Sequence, residues 1–301
     1  MKINNYPLWT AVITPMLDDG NVDYPTLKIL LEEQNKAKNG ILILGSTGES
    51  LNINEDERKK IMEFTTNLSL DVPIMAGVGG INLKETLDWV EYLETLKVDC
   101  YLMVTPLYAK PGVKGQYEWF KTLMDSVTKP VMLYNIPGRT GISLPIETIK
   151  MLENHPNLWA IKEASGSPKD FSEFVKSNTN IRVYSGDDAM LPTYAPLGAK
   201  GLVSVSSNIW PSATHEYVEQ TLNGTLKDQT LWAECANTLF TASNPIPVKR
   251  IMFETGVIKS AKLRLPLIDS DLEDVSPLVD ADQKINNWYQ QQTNRENEVT
   301  I

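Results

Sequence analysis

The 301-residue chain contains only two cysteines and two histidines. Cys100 and Cys235 lie far apart in apolar surroundings, so we expect neither a disulfide framework nor a cysteine metal site. His155 lies in the loop ENHPN before a predicted strand, and His215 lies at a predicted helix start; each is expected to be a surface or capping residue. These absences disfavour a histidine-rich metal centre, and no metal or cofactor is expected. A magnesium site built from carboxylates stays open as the alternative.

Long apolar runs are also missing. No stretch approaches the ~18–20 apolar residues that a membrane span requires, and the N-terminal sequence MKINNYPLWT lacks the apolar segment of a signal peptide. The net charge of −10 disfavours nucleic acid or an anionic membrane as a partner. Together with the scarcity of cysteine, these features predict a cytoplasmic protein.

The chain does contain a series of short apolar runs with helix-like segments between most of them. The eight runs lie at 8–15, 41–49, 72–80, 100–106, 130–137, 158–165, 181–188 and 201–208. Apolar strands that alternate with helices predict parallel strands joined by right-handed crossovers. Eight such runs favour an α/β fold of the (β/α)8 TIM barrel type, which we place at residues 1–225.

No strand signal returns after residue 208, although four helix-like segments follow. One barrel repeat needs fewer helices, so we expect a small C-terminal helical extension at 226–292. We expect the tail at 293–301 to be disordered. A doubly wound sheet with a helical second domain uses the same alternation and stays open, although the chain has no glycine-rich dinucleotide motif after its first strand.

Polar motifs follow six of the eight apolar runs, always at the C-terminal end. They are GSTGES at 45–50, TPLYAKPG at 105–112, YNIPGRTG at 134–141, KEASG at 162–166, SGDD at 185–188 and SVSSN at 204–208. Ordinary turn chemistry accounts for any single motif. In a barrel, however, these six ends share one face, where catalytic residues collect. The sequence therefore indicates a functional site at this face.

Lys162 directly follows the apolar run LWAI, although burying an ammonium group without a partner is unfavourable. Loss of hydration lowers the pKa of a lysine. The resulting neutral amine attacks a ketone to form an imine, which draws electrons from the adjacent carbon. The alternative is structural: Lys162 reaches out of the barrel mouth or pairs with Glu163.

Other side chains at the same strand ends suit such a reaction, and each also has a structural interpretation. Ser46 and Thr47 offer hydroxyls beside backbone N–H groups that suit a carboxylate, or they belong to a tight turn with helix caps. Tyr134 is a proton relay or a core tyrosine. Arg139 offers a planar fork for a carboxylate, or it is a surface arginine paired with an acid.

Three more polar residues have a simpler interpretation. Tyr108 lies in a loop bracketed by prolines and is expected to be an interface or packing residue. Asp187 and Asp188 are adjacent, and successive side chains usually point in different directions. We therefore favour capping of the next helix over metal binding for this pair.

These motifs resemble the dihydrodipicolinate synthase family of pyruvate-dependent class I aldolases, to which the N-acetylneuraminate lyases are related. The similarity runs from AVITPMLDDGNVD (11–23) to NPIPVKRIMFETG (244–256) and LRLPL (263–267). It implies that Lys162 forms a Schiff base with pyruvate and that Tyr134 donates and accepts protons. It also implies that Thr47 and Ser46 hold the pyruvate carboxylate and link a hydroxyl relay. Ser46 stands where the synthases usually have threonine.

The resemblance further implies a second substrate and an assembly. Arg139 would bind the carboxylate of L-aspartate 4-semialdehyde, and Gly186 and Val203 would line the site through backbone contacts. Tyr108 would complete the relay in a neighbouring subunit of a homotetramer, a dimer of dimers. The product would be 4-hydroxy-tetrahydrodipicolinate, in the first committed step towards diaminopimelate and lysine.

Two other functions compete with this one. Neuraminate lyases resemble the chain at GSTGE and YNIP but usually lack the arginine of GRTG. Arg139 therefore favours the aldehyde over a sugar acid as substrate. The other competitor, a non-catalytic sensor that binds a keto acid, is disfavoured because Lys162, Tyr134 and Thr47 occur together.

The chain departs from the family pattern at the site where lysine inhibits many members. Those members typically carry histidines or other polar groups after GTTGES, and a tyrosine before the interface tyrosine. The matching positions here are Glu55, Arg58 and Leu107. Ile81 replaces a common asparagine, whereas Glu85 is retained. We therefore expect weak or absent inhibition by lysine.

Overall fold

The computed structural model describes residues 2–177 and 180–299. Within them, eight parallel strands close into a barrel in which each strand pairs with its neighbour in sequence and β1 also pairs with β8. The strands are β1 (Leu8–Ala11), β2 (Gly40–Ile43), β3 (Ile74–Val78), β4 (Cys100–Val104), β5 (Val131–Asn135), β6 (Leu158–Glu163), β7 (Arg182–Ser185) and β8 (Leu202–Ser204). The predicted (β/α)8 barrel is confirmed. The doubly wound alternative is wrong, because an open sheet has two unpaired edges.

Helices surround the barrel and continue after the last strand. They are α1 (Tyr24–Lys36), α2 (Glu55–Thr66), α3 (Leu83–Glu94), α4 (Val113–Asp125), α5 (Pro137–Thr140), α6 (Ile146–Leu152), α7 (Pro168–Ser177), α8 (Leu191–Tyr194), α9 (Pro211–Leu222), α10 (Gln229–Thr238), α11 (Ile246–Glu254) and α12 (Ser276–Val299). None of the helices in the two described ranges is both long and apolar enough to cross a bilayer.

The barrel interior is a packed apolar core. Alternate residues of each strand point inward, and they form one buried cluster that includes Trp9, Leu42, Met75, Leu102, Met132, Ala160, Tyr184 and Val203. A larger apolar layer fills the space between the strands and the helices. The open C-terminal end of the barrel is therefore where polar side chains approach this dry interior.

Three helices of the described chain, α10 to α12, follow the barrel repeat that ends with α9. The buried Trp232 of α10 packs against Tyr217 of α9 and Trp288 of α12, with ring centroids 4.2 and 5.1 Å apart. This packing ties the C-terminal helices to the barrel. The division at residue 225 and the disorder of 293–301 stay predictions. Helix α12 continues to Val299, and residues 300 and 301 lie outside the described residues.

Candidate active site

Strand register places the candidate catalytic side chains next to one another. Tyr134 of β5 is aligned with Lys162 of β6, which is aligned with Tyr184 of β7. Aligned residues of neighbouring strands point to the same face of a sheet. Tyr134 and Tyr184 belong to the buried cluster inside the barrel, so Lys162 enters the same interior.

Lys162 is only 5% exposed, and its Nζ lies 4.2 Å from the centroid of the Tyr134 ring. Burial lowers its pKa from the ordinary lysine value to about 7, the charge of Asp188 opposes this shift, and the charge of Arg139 adds to it. The neutral form of the Lys162 amine is therefore favoured far more than in an exposed lysine. The alternative in which Lys162 reaches solvent is wrong, because the side chain is buried. Pairing with Glu163 is also wrong, because the Glu163 carboxylate accepts hydrogen bonds from the Asn135 side chain and from the N–H of Ser165.

Asp188 is the carboxylate that opposes the shift at Lys162. It accepts hydrogen bonds from the Ser204 hydroxyl and from the backbone N–H groups of Val205 and Ser206, at 3.0 and 3.1 Å for the N–H groups. The expectation that it caps the next helix is wrong, because the carboxylate crosses to the end of β8. Its neighbour Asp187 does accept from the N–H of Ala189 in the turn before α8, at 3.1 Å.

No group of three or more His, Cys, Asp and Glu side chains is placed to hold a metal ion within residues 2–177 and 180–299. The two aspartates at 187 and 188 point to different partners, which is why their adjacency does not create a cation site there.

Gly186 leaves room for the lysine. A Cβ atom at this position would lie 2.7 Å from Cε and 3.0 Å from Cγ of Lys162, so any side chain would displace the lysine. The Gly186 N–H donates to the carbonyl of Glu163 at 2.7 Å. The Gly186 N–H is therefore already used, and only the Gly186 carbonyl oxygen is available for a backbone contact with a substrate. Val203 is fully buried in β8, opposite Trp9 of β1.

Tyr134 is also 5% exposed. Burial raises the pKa of its phenol to about 12, while the nearby Arg139 charge and Ser46 hydroxyl act in the opposite direction. The phenol is therefore protonated at neutral pH and starts any reaction as a proton donor.

The GSTGES motif forms a loop that follows β2 and packs closely on β3. A Cβ atom at Gly77 of β3 would lie 2.1 Å from the carbonyl oxygen of Leu44, so only glycine permits this approach. Thr47 is 3% exposed, and its Oγ1 accepts a hydrogen bond from Asn244 Nδ2 at 2.9 Å. The short helical turn that follows begins without a side-chain cap, so the capping interpretation of this motif is wrong.

Arg139 lies on the short helix α5, and its Nη2 donates to the backbone carbonyl of Asn244 at 2.9 Å. This carbonyl, rather than an acidic side chain, is its hydrogen-bond partner in the structure. Asn244 thus contacts both Thr47 and Arg139. Its NPIP motif belongs to the family resemblance, but no pattern in the sequence predicts a role for Asn244.

A cavity of about 290 Å³ opens at this end of the barrel. Its polar lining includes Ser46, Tyr134 and Arg139, and its apolar lining comes from Leu44, Val78, Leu102, Val104, Leu107 and Ile136. Lys162 adjoins the cavity at the Tyr134 ring. The cavity is large enough for a small organic acid, and its walls offer a phenol, hydroxyls and a guanidinium.

Tyr108 is not brought to this cavity within one chain. It lies in the loop between β4 and α4, is 90% exposed and has a φ of +64°, a left-handed conformation that is strained for a non-glycine residue. The structure thus brings together Lys162, Tyr134, Ser46, Thr47 and Arg139, but leaves Tyr108 on the surface.

A second groove of about 260 Å³, which shares Leu107 with this cavity, contains most of the positions at which the chain departs from the lysine-inhibited pattern. Arg58, Ile81, Glu85 and Leu107 line it. The Arg58 guanidinium lies over the Trp89 ring, 4.9 Å from its centroid, and Asn82 donates to Glu85 at 3.0 Å. Glu55 instead pairs with Lys59 at 2.6 Å on the surface of α2.

Comparison with known proteins identifies the family. A family model described as the dihydrodipicolinate synthetase family matches residues 6–283. The chain belongs to this family. The resemblance predicted from the motifs is confirmed, and with it the assignment of the chain to a family of lyases.

Curated relatives cover nearly the whole chain. A 4-hydroxy-tetrahydrodipicolinate synthase of Francisella philomiragia is 48% identical over 291 residues, which is 96% of this chain and 98% of the relative. A protein of the same name from Wolbachia pipientis wMel is 44% identical and covers 93% and 96%. The dihydrodipicolinate synthase of Acinetobacter baumannii, solved with pyruvate, has a TM-score of 0.88 at 32% identity and covers 93% of this chain and 99% of that chain.

The depressed pKa of Lys162 makes a direct prediction about its reactivity. Trace labelling with acetic anhydride between pH 5 and 11 should show Lys162 acylation rising with an inflection near pH 7, since only the neutral amine reacts. Lys84, whose pKa is raised by Asp88, serves as the exposed control and should keep gaining label above pH 10. Quantitative mass spectrometry of the two peptides measures both curves. An inflection for Lys162 at pH 10 or above would contradict the dry environment.

The side chains that line this groove predict little inhibition of the enzyme by lysine. The Arg58 charge offsets the attraction that the retained Glu85 has for an ammonium group, and the Ile81 and Leu107 side chains offer no hydrogen bonds. Lysine at micromolar to low-millimolar concentrations should therefore leave the initial rate unchanged. The rate is measured at subsaturating substrate, with an unrelated amino acid at equal ionic strength as the control. Half-maximal inhibition within that concentration range would show that the groove accepts lysine.

Proposed function

We propose that the chain condenses pyruvate with L-aspartate 4-semialdehyde to form 4-hydroxy-tetrahydrodipicolinate, in the first committed step of diaminopimelate and lysine biosynthesis. The observation that carries the proposal is the 5% exposed Lys162, whose amine lies beside the Tyr134 ring at the dry end of the barrel. The related Acinetobacter baumannii structure contains pyruvate, and its ketone is the group that such an amine attacks.

The first half of the reaction forms the Schiff base. The neutral Lys162 amine attacks the ketone carbon of pyruvate, a C–N bond forms, and the ketone oxygen leaves as water. The protonated Tyr134 phenol supplies a proton to the departing oxygen, in keeping with its raised pKa. The protonated imine then draws electrons from the neighbouring methyl carbon.

The second half forms the carbon–carbon bond. Tyr134 takes a proton from the methyl group, and the resulting enamine attacks the aldehyde carbon of the second substrate, whose oxygen takes that proton back from Tyr134. The amino group of the adduct then attacks the imine carbon and displaces Lys162, and the proton that this amino group loses returns to Tyr134. The product ring closes in this step, and the free lysine amine is restored for the next cycle.

Two sites hold the carboxylates. Ser46 and Thr47, with the backbone N–H groups of their loop, bind the pyruvate carboxylate next to Lys162. Arg139 at the cavity wall binds the carboxylate of the aldehyde. The carbonyl of Gly186 and the backbone of Val203 complete the lining. This second carboxylate site is the reason to favour the aldehyde over a sugar acid.

We further propose that the enzyme is a cytoplasmic homotetramer, a dimer of dimers. In this assembly Tyr108 of one subunit reaches the site of its neighbour and completes the relay with Thr47 and Tyr134. Tyr108 is 90% exposed, and its neighbour Leu107 lines a groove together with the exposed Leu51 and Ile81, which supports a role in subunit contact. The free, buried Cys100 and Cys235 suit a reducing compartment.

Substrate assays on wild type and Arg139→Ala test the proposal. Wild type should turn over pyruvate with L-aspartate 4-semialdehyde and should not release pyruvate from N-acetylneuraminate. Loss of one bidentate arginine should lower kcat/KM for the aldehyde at least about tenfold, with a much smaller effect on kcat/KM for pyruvate. Arg250→Ala, on the exposed side of α11, is the control. Cleavage of N-acetylneuraminate without condensation would favour the lyase instead.

A further inference from the structure

A fully buried ion pair lies outside the chemistry proposed above. Lys249 Nζ of α11 is 2.6 Å from Glu49 Oε1, and both side chains are 0% exposed. The ammonium also donates to the carbonyl of Lys262 at 2.8 Å, and Glu49 Oε2 accepts from the Arg264 N–H at 3.2 Å. Burying two charges is unfavourable enough that an apolar pair of equal volume is often as stable. Stability alone is therefore a weak explanation for this pair.

The pair lies at the end of the GSTGES loop. Glu49 has a φ of +56°, and Leu44 at the other end of the loop has a φ of +59°. Left-handed backbone at non-glycine residues costs free energy and persists where the surroundings hold it. Glu49 lies two residues after Thr47, and its ion pair with Lys249 fixes this end of the loop.

A second contact from the same segment reaches Thr47 itself. Asn244, five residues before Lys249, is 6% exposed and donates from Nδ2 to Thr47 Oγ1 at 2.9 Å. Its Oδ1 is buried without a hydrogen-bond partner among the described residues. The side-chain amide is therefore used as a donor to Thr47, although its acceptor goes unsatisfied.

This donor role determines what Thr47 does with its own proton. A hydroxyl has one hydrogen to donate and two lone pairs that accept. Since Oγ1 accepts from Asn244, the Thr47 hydrogen is directed elsewhere and is available to an anionic acceptor. A carboxylate bound beside Lys162 is such an acceptor.

We infer that Asn244 and the Glu49–Lys249 pair are positioning residues, which hold the GSTGES loop and direct the Thr47 hydroxyl hydrogen towards the pyruvate carboxylate. The inference rests on the proposed function and adds the start of the C-terminal helical region to the active site. Residues 244–249 then act as a clamp on a loop that lies about 200 positions earlier in the chain.

Two variants of Asn244 separate this role from simple packing. Asn244→Ala removes the donor and should lower kcat/KM for pyruvate about tenfold, the usual effect of one lost hydrogen bond. Asn244→Asp has nearly the wild-type shape, but its carboxylate accepts the Thr47 hydrogen and repels the substrate anion. Its kcat/KM for pyruvate should therefore be lower than that of Asn244→Ala, by roughly another tenfold. A purely structural residue gives the reverse order, because aspartate fills the space that alanine leaves empty.

A double variant tests the ion pair. Glu49→Gln with Lys249→Met removes both charges at nearly constant volume, which retains the fold in comparable cases. Its kcat/KM for pyruvate should fall about tenfold, and the amides of residues 44–50 should exchange hydrogen faster than in wild type. The matched control is Arg250→Met with Glu254→Gln, which removes an ion pair at 2.6 Å from the solvent side of the same helix. This control should match wild type in both measurements.

Each outcome decides the inference. The inference is overturned if kcat/KM for pyruvate is as high in Asn244→Asp as in Asn244→Ala, or higher. It is also overturned if the folded double variant keeps kcat/KM for pyruvate within about twofold of wild type. If the double variant does not fold, the order of the two Asn244 variants decides. If wild type itself does not use pyruvate, the proposed function fails. In that case the clamp is tested by hydrogen exchange alone. It is overturned if the amides of residues 44–50 exchange at the wild-type rate in both Asn244→Ala and the double variant.

Discussion

The dry environment of one amine determines how this active site is built. Lys162 lies near the end of β6, where it is aligned with Tyr134 of β5 and Tyr184 of β7, and Ala160 further along the same inner face is fully buried. Loss of hydration lowers its pKa to about 7, which keeps a useful fraction of the amine neutral without removing the positive charge needed later on the imine. Asp188 and Arg139 act in opposite directions on the same group, so the pKa reflects a balance between burial and two charges.

The other parts of the site follow from this constraint. Gly186 is small because the lysine side chain occupies the space of its missing Cβ atom. Tyr134 is aligned with Lys162 on the neighbouring strand, and its raised pKa makes it the complementary acid. The loop that carries Thr47 and the helix that carries Lys249 come from distant parts of the chain, yet they meet beside the same cavity. The C-terminal helices therefore contribute to the chemistry as well as to packing.

The sequence was sufficient to predict the strands, the barrel and the central lysine, because each depends on a local pattern. All eight apolar runs overlap observed strands, and the polar strand ends do converge. Interactions between residues far apart in the chain could not be predicted, because no local sequence pattern encodes them. Asp188 was assigned to the following helix but bonds across to β8, and Asn244 reaches Thr47 over 197 positions. Tyr108 was identified from the resemblance, but a single chain leaves it on the surface. The role proposed for it requires a neighbouring subunit.

Borohydride reduction in the presence of pyruvate tests the central claim most directly. The reagent converts an imine into a stable secondary amine, and peptide mass mapping then locates the modified residue. The account predicts one pyruvate-derived adduct per chain, on the peptide that contains Lys162, and no adduct in Lys162→Met. An active enzyme that carries no adduct on Lys162, or that carries it on another lysine, would contradict the account.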